Sequence, residues 1–124
     1  SSNSSLNSSS EAESVITAQF WDIINSSKQQ EGGVEVMYGS DLDTAEIGSG
    51  FPATGPYGSS PWNLRRLPLL PDSLLRHLSH MQISGVTVPW LYVGMLFSSF
   101  CWHTEDHHCF SISYHHLGQP KEWY

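Results

Sequence analysis

Apolar residues first recur at helical spacing in residues 11–26, where Ile16, Phe20, Ile23 and Ile24 lie three, four or one apart on one face. Ser10 and Glu13 have the S-x-x-E spacing of a capping box, which predicts that this amphipathic helix begins there, with Gly32-Gly33 closing the section. The period then shortens. "VEVMY", 34–38, alternates as a short strand does. Residues 48–62 mix glycine, proline and serine and read as a loop of several turns. Asp72 can cap a second short helix with Leu74, Leu75, Leu78 and Met81 on one face. Beyond Gly85, β-branched and aromatic residues dominate. "VTVPWLYVGMLF" reads as a strand with Pro89 at an edge or bulge. In "CFSISYH", 109–115, Phe110, Ile112 and Tyr114 face one way and Cys109, Ser111 and Ser113 the other, and "KEWY" starts a further strand. The chain is expected to be mainly β with N-terminal helices, and it contains no internal repeat.

Composition trims this picture at one end. "SSNSSLNSSS", residues 1–10, is expected to be a disordered Ser-rich tail, because it offers almost nothing to bury. Residues 11–124 are left for one domain or part of one. The net charge is −7 with five Lys and Arg, so no clustered basic surface exists to displace counterions, and direct nucleic-acid binding is not expected. The longest apolar run, "WLYVGMLF", has eight residues against the roughly 20 a membrane helix needs, and no secretory signal opens the chain. Two cysteines without a signal are read as thiols in a reducing compartment.

The chemistry concentrates in "CWHTEDHHC", 101–109, with two thiols, three imidazoles and two carboxylates. On extended backbone, side chains two apart share a face, so His103 and Glu105 point together. Such a pair supplies two ligands of a 2-His-1-carboxylate triad on Fe(II), or is a surface pair with no metal at all. Cys101, His103, His107, His108 and Cys109 could instead hold zinc, although C-x₇-C is poor spacing for it. A dithiol redox couple would want C-x-x-C, which is absent.

"GVTVPWLYVGMLFSSFCWHTEDHHCFSISYHHLGQPKEWY", 85–124, resembles the centre of the JmjC domain of the jumonji histone lysine demethylases. "VEVMYGSDLDTAEIGSGFP" and "SPWNLRRLP" are similar to the JARID subfamily in particular. The resemblance implies a double-stranded β-helix (a cupin-like jelly-roll), of which 11–124 would be the N-terminal part of the catalytic domain, truncated. It implies Fe(II) on His103 and Glu105, and 2-oxoglutarate contacts from Tyr38, Phe100, Ser111, Ser113 and Lys121. Tyr92 would stand beside the methylated lysine, where its ring face can hold a methylammonium. The third iron ligand is expected on a strand beyond Tyr124; His107, His108, His115 and His116 do not have its position. Ser113 replaces a usual Asn, Leu117 a usual aromatic and His115 a common Leu.

The resemblance therefore implies a nuclear Fe(II)- and 2-oxoglutarate-dependent histone lysine demethylase, acting on the methylated fourth-residue lysine of the histone H3 tail, with this chain an inactive piece of it. The alternative, which Ser113 favours, is a catalytically silent JmjC-like module serving as a chromatin scaffold.

Overall fold

The computed structural model of the chain describes the backbone of residues 2–26 and 33–124, and the side chains of 11–26 and 33–124. Helix α1 spans Ser2–Ser26. It begins before the expected capping box, and residues 2–10 belong to the same helix. Once a helical nucleus exists, each further residue adds a hydrogen bond for one residue fixed, and low-propensity serines can be carried along. Ser14 Oγ donates to the Glu11 carbonyl at 2.9 Å within the helix. Ile16, Thr17, Phe20 and Ile23 form its half-buried stripe. Of the break expected at Gly32-Gly33, Gly32 lies outside the described residues.

The strand expected at 34–38 forms later, as β1 at Tyr38–Asp43, and pairs antiparallel with β2 at Trp90–Gly94. Tyr38 faces Gly94, Gly39 faces Val93, Leu42 faces Leu91 and Asp43 faces Trp90. The register breaks between Gly39 and Leu42, so Ser40 and Asp41 together stand opposite Tyr92. The extra residue makes a β-bulge, and Asp41 adopts φ 55° there, a left-handed conformation that Asp tolerates better than most residues. Pro89 ends just before β2 begins, as its missing N–H requires.

A one-turn helix, α2, spans Thr44–Ile47 and is capped by Asp43, whose carboxylate accepts from Ala45 N at 2.8 Å. Thr44 is buried and donates from Oγ1 to the Pro89 carbonyl, tying α2 to the entry of β2. The Gly- and Pro-rich loop contains a second one-turn helix, α3, at Gly55–Gly58. Asn63, only 4% exposed, organises this loop. Its Nδ2 donates to the Pro52 and Tyr57 carbonyls at 3.0 and 3.1 Å, and its Oδ1 accepts from Arg65 N at 3.0 Å. All three amide contacts go to backbone, which is how a loop buries a polar side chain without penalty.

The second expected helix is a 3₁₀ turn, Leu74–Leu78, capped by Ser73 rather than Asp72. At five residues it is too short for the α-helical pattern to decide its form, and Leu74 and Met81 of its expected apolar face are exposed. Gly85, at φ 78°, lets the Trp90 indole lie against the backbone: an added Cβ would meet the ring at 2.9 Å. Residues 109–115 and 121–124, expected as strands, are in no ladder among the described residues. Alternation alone makes a segment extended. A strand also needs a neighbour offering matched N–H and C=O groups, and none of the described residues does so here.

Among the described residues no hydrophobic side chain is fully buried. The chain exposes 10653 Å² at 13.9 kDa, whereas a compact domain of that mass exposes about 6,700 Å². The apolar positions that should form a core, including Phe110, Ile112 and Tyr114, meet solvent. Among the described residues no helix is long and apolar enough to cross a membrane.

Candidate metal and cosubstrate site

The site is built on extended backbone that runs from β2 toward the end of the chain. Cys101–Glu105 is outside any ladder, and a short 3₁₀ turn, Asp106–His108, follows it. The i, i+2 geometry holds without a ladder: His103 Nε2 lies 3.5 Å from Glu105 Oε1. On its other side, His103 Nδ1 is 2.8 Å from the Cys101 carbonyl oxygen. A carbonyl only accepts, so Nδ1 carries a proton there, and Nε2 is the ring nitrogen turned to the carboxylate. Orientation of a ligating imidazole by a hydrogen bond from its far nitrogen is a common support for metal ligation.

The donor set, one imidazole and one hard carboxylate, suits Fe(II). Both side chains remain open, at 56% and 40% exposure. Among the described residues, no group of three His, Cys, Asp or Glu side chains converges as a metal cage. The surplus histidines turn elsewhere: His115 Nε2 lies 2.9 Å from the Leu117 carbonyl, and His116 Nδ1 3.3 Å from the Tyr114 hydroxyl. His107 and His108 both take φ 54°, which turns the chain immediately after Glu105. Cys101 and Cys109 are exposed free thiols.

A second group abuts the first. Lys121 Nζ donates to Ser113 Oγ at 3.2 Å and lies 5.4 Å from the centroid of Phe100. Phe100 meets the His103 ring edge-on at 6.3 Å between centroids, and Trp123 at 5.3 Å. Phe100 thus joins the ammonium to the imidazole. Phe100, His103, Glu105, Ser113 and Lys121, chosen from scattered sequence positions, form one connected cluster with a cation at one end and metal-type donors at the other. Such an arrangement fits a small dicarboxylate that chelates at one end and needs a counter-charge at the other. Ser111 is exposed and stays out of this cluster.

Tyr38 and Tyr92 sit together on the β1–β2 ribbon, their ring centroids 6.2 Å apart. The Tyr92 hydroxyl donates to Asp41 Oδ1 at 2.8 Å, across the bulge. Burial pushes the Tyr92 phenol above its ordinary range; the Asp41 hydrogen bond and charge, then Tyr38 and Glu105, push it further. Burial and then Asp41 also raise Tyr38. Trp90 completes the aromatic group, 6.5 Å from Tyr92. Sequence reasoning passed over Asp41 and Trp123. Asp41 sits in "YGSDLD", where a β-bulge is signalled only by a glycine two residues before an acidic one; Trp123 alternates with Lys121, which would have placed both on one face.

Residues 90–124 match the family described as JmjC domain, hydroxylase. Over 122 residues the chain is 51% identical to Lysine-specific demethylase JMJ17 of Arabidopsis thaliana, a match covering 88% of this chain and 10% of that protein. It is 48% identical over 118 residues to Lysine-specific demethylase JMJ703 of Oryza sativa subsp. japonica, covering 88% and 9%. With Lysine-specific demethylase 5D of Homo sapiens it shares 44% identity over 120 residues, covering 89% and 8%. The chain therefore spans about a tenth of the length of the relatives it matches.

Proposed function

We propose, from the premise that this chain belongs to the JmjC domain family, that it is part of an Fe(II)- and 2-oxoglutarate-dependent dioxygenase demethylating histone lysine. Within that protein, residues 11–124 form the N-terminal part of a cupin-like jelly-roll catalytic domain. The remaining strands cover the apolar side chains this segment exposes, and one of them carries the third iron ligand. The substrate is the methylated fourth-residue lysine of the histone H3 tail, and the protein works in the nucleus. The relatives' names, all lysine-specific demethylases, support the reaction class.

The observation that carries this reading is the meeting of His103 Nε2 and Glu105 Oε1 at 3.5 Å, with the far ring nitrogen held by the Cys101 carbonyl. Bound Fe(II), with O₂ as the oxidant, would supply the oxidation of an N-methyl carbon, 2-oxoglutarate leaving as succinate and CO₂ and the methyl carbon as formaldehyde. The chain's own residues hold and orient. His103 and Glu105 are the two ligands from this segment. Lys121, steadied by Ser113 Oγ and the Phe100 face, presents a cation to the distal carboxylate of 2-oxoglutarate, and Tyr38 adds its hydroxyl. Ser113 thus has work in place of the usual Asn, which speaks for a catalytic module over a silent scaffold. Tyr92, neutral at physiological pH with its hydroxyl fixed by Asp41, offers a ring face to the methylammonium.

The test is formaldehyde and succinate release by the parent protein acting on a methylated histone H3 peptide. Peptide-dependent release that disappears in Glu105→Ala and His103→Ala is the expected result. Release undiminished in Glu105→Ala would sink the assignment of the ligands.

A further inference from the structure

We propose that Thr17 of α1 is a positioning residue for Lys121, acting through a clasp that it forms with Glu122 and Tyr124. This rests on the reading of Lys121 as a cosubstrate contact.

Thr17 is the polar member of the half-buried stripe of α1, between Ile16 and Phe20. Its Oγ1 donates to Glu122 Oε2 at 2.9 Å and touches the Tyr124 hydroxyl at 2.8 Å. The Tyr124 hydroxyl donates to the same carboxylate oxygen. Two hydroxyl protons therefore converge on one acceptor oxygen, an arrangement that favours the ionised form of Glu122. The hydrogen bonds from Tyr124 and then Thr17 hold the Glu122 carboxyl below its ordinary value, consistent with that preference. Trp21, one helical turn on from Thr17, meets the Tyr124 ring edge-on at 5.7 Å, so α1 grips the segment with a ring as well as a hydroxyl.

The four residues 121–124 alternate. Glu122 and Tyr124 turn to α1, while Lys121 and Trp123 turn to Phe100. No ladder among the described residues sets their position along the chain direction. Side chains must do it, and Thr17 reaches across 105 residues of sequence to do so. On the opposite side, Trp102 Nε1 donates to the Tyr124 carbonyl at 2.6 Å, and its ring packs on Trp123 at 5.0 Å. The segment is held between α1 and the Phe100–Trp102 stretch that precedes His103. A slip by one residue would exchange Lys121 for Glu122 on the cosubstrate side and replace an attractive charge with a repulsive one.

The experiment is steady-state kinetics of the parent protein with 2-oxoglutarate and methylated peptide varied separately. In Thr17→Val, which keeps the shape and deletes the hydroxyl, the KM for 2-oxoglutarate should rise roughly fivefold while kcat and the peptide KM stay within about twofold. Thr17→Ser should restore the 2-oxoglutarate KM. Tyr124→Phe removes the second arm and should repeat the effect, which keeps the test usable if Thr17→Val does not fold. An unchanged KM in both variants, with Lys121→Ala still raising it, refutes the clasp and leaves the cosubstrate reading standing. No effect of Lys121→Ala refutes that reading and the clasp together. A joint loss of kcat and of both KM values with a lower Tm makes Thr17 merely structural and overturns the proposal.

Discussion

Replacing Lys121 by Met keeps most of the aliphatic stem and removes the ammonium, so it isolates the electrostatic part of cosubstrate binding. In this chain Nζ is exposed, with Ser113 Oγ at 3.2 Å and the Phe100 centroid at 5.4 Å as its two neighbours. A carboxylate about 4 Å from Nζ is worth about 1 kcal/mol at the dielectric of water and about 4 kcal/mol at an effective value near 20. These limits correspond to increases in Kd of about fivefold and about a thousandfold. The lower figure applies if the site stays as open as it is in this segment. The upper one applies if the site is covered and water is kept out of it. The assay is calorimetric titration of 2-oxoglutarate into the anaerobic Fe(II) form of the parent protein, where the absence of O₂ prevents turnover. The expected Kd for Lys121→Met is at least about tenfold higher, since a closed pocket is what the chemistry needs. A change of less than about threefold would show that the ammonium is not the counter-charge, and that its contacts with Ser113 and Phe100 serve only the local fold.

The Tyr92 phenol provides a pH test in this chain. Because its ionisation is raised in the folded state, the stability it contributes is complete below the ordinary tyrosine value and is lost as pH rises beyond it, when the unfolded chain ionises first. Phenolate absorbance should show Tyr92 titrating late, and Asp41→Asn should bring it back toward, though not fully to, its ordinary value, because burial remains the larger cause. No shift in Asp41→Asn would mean that the 2.8 Å bond does not persist in solution. Cys101 and Cys109 should both be alkylated under non-reducing conditions, with intact mass as the readout, since both are exposed thiols. Failure of either to react would point to a bridge or a bound metal across the ligand segment.

The legible part of this protein is what short-range geometry dictates. His103 and Glu105 share a face because extended backbone alternates, and they meet at 3.5 Å even though no ladder holds them. The helix over 11–26, the strand at Trp90–Gly94 and the turn-rich loop also follow from local periodicity and from Gly and Pro placement. Residues 109–115 carry a pattern just as clear and yet stand in no ladder, because pairing is a property of two segments and a pattern describes only one.

Only the tertiary structure decided the rest. It moved β1 to Tyr38–Asp43, put Asp41 on a bulge under the Tyr92 hydroxyl, and left Ser111 outside the cluster that Ser113 joins. It brought Thr17 to Glu122 across 105 residues. The amino-acid sequence by itself determined which side chains are able to do iron and dicarboxylate chemistry, since donor type and charge belong to single residues. Which of them meet depended on register and on long-range contact, and these are set by the free energy of the whole packed chain, which no local window contains.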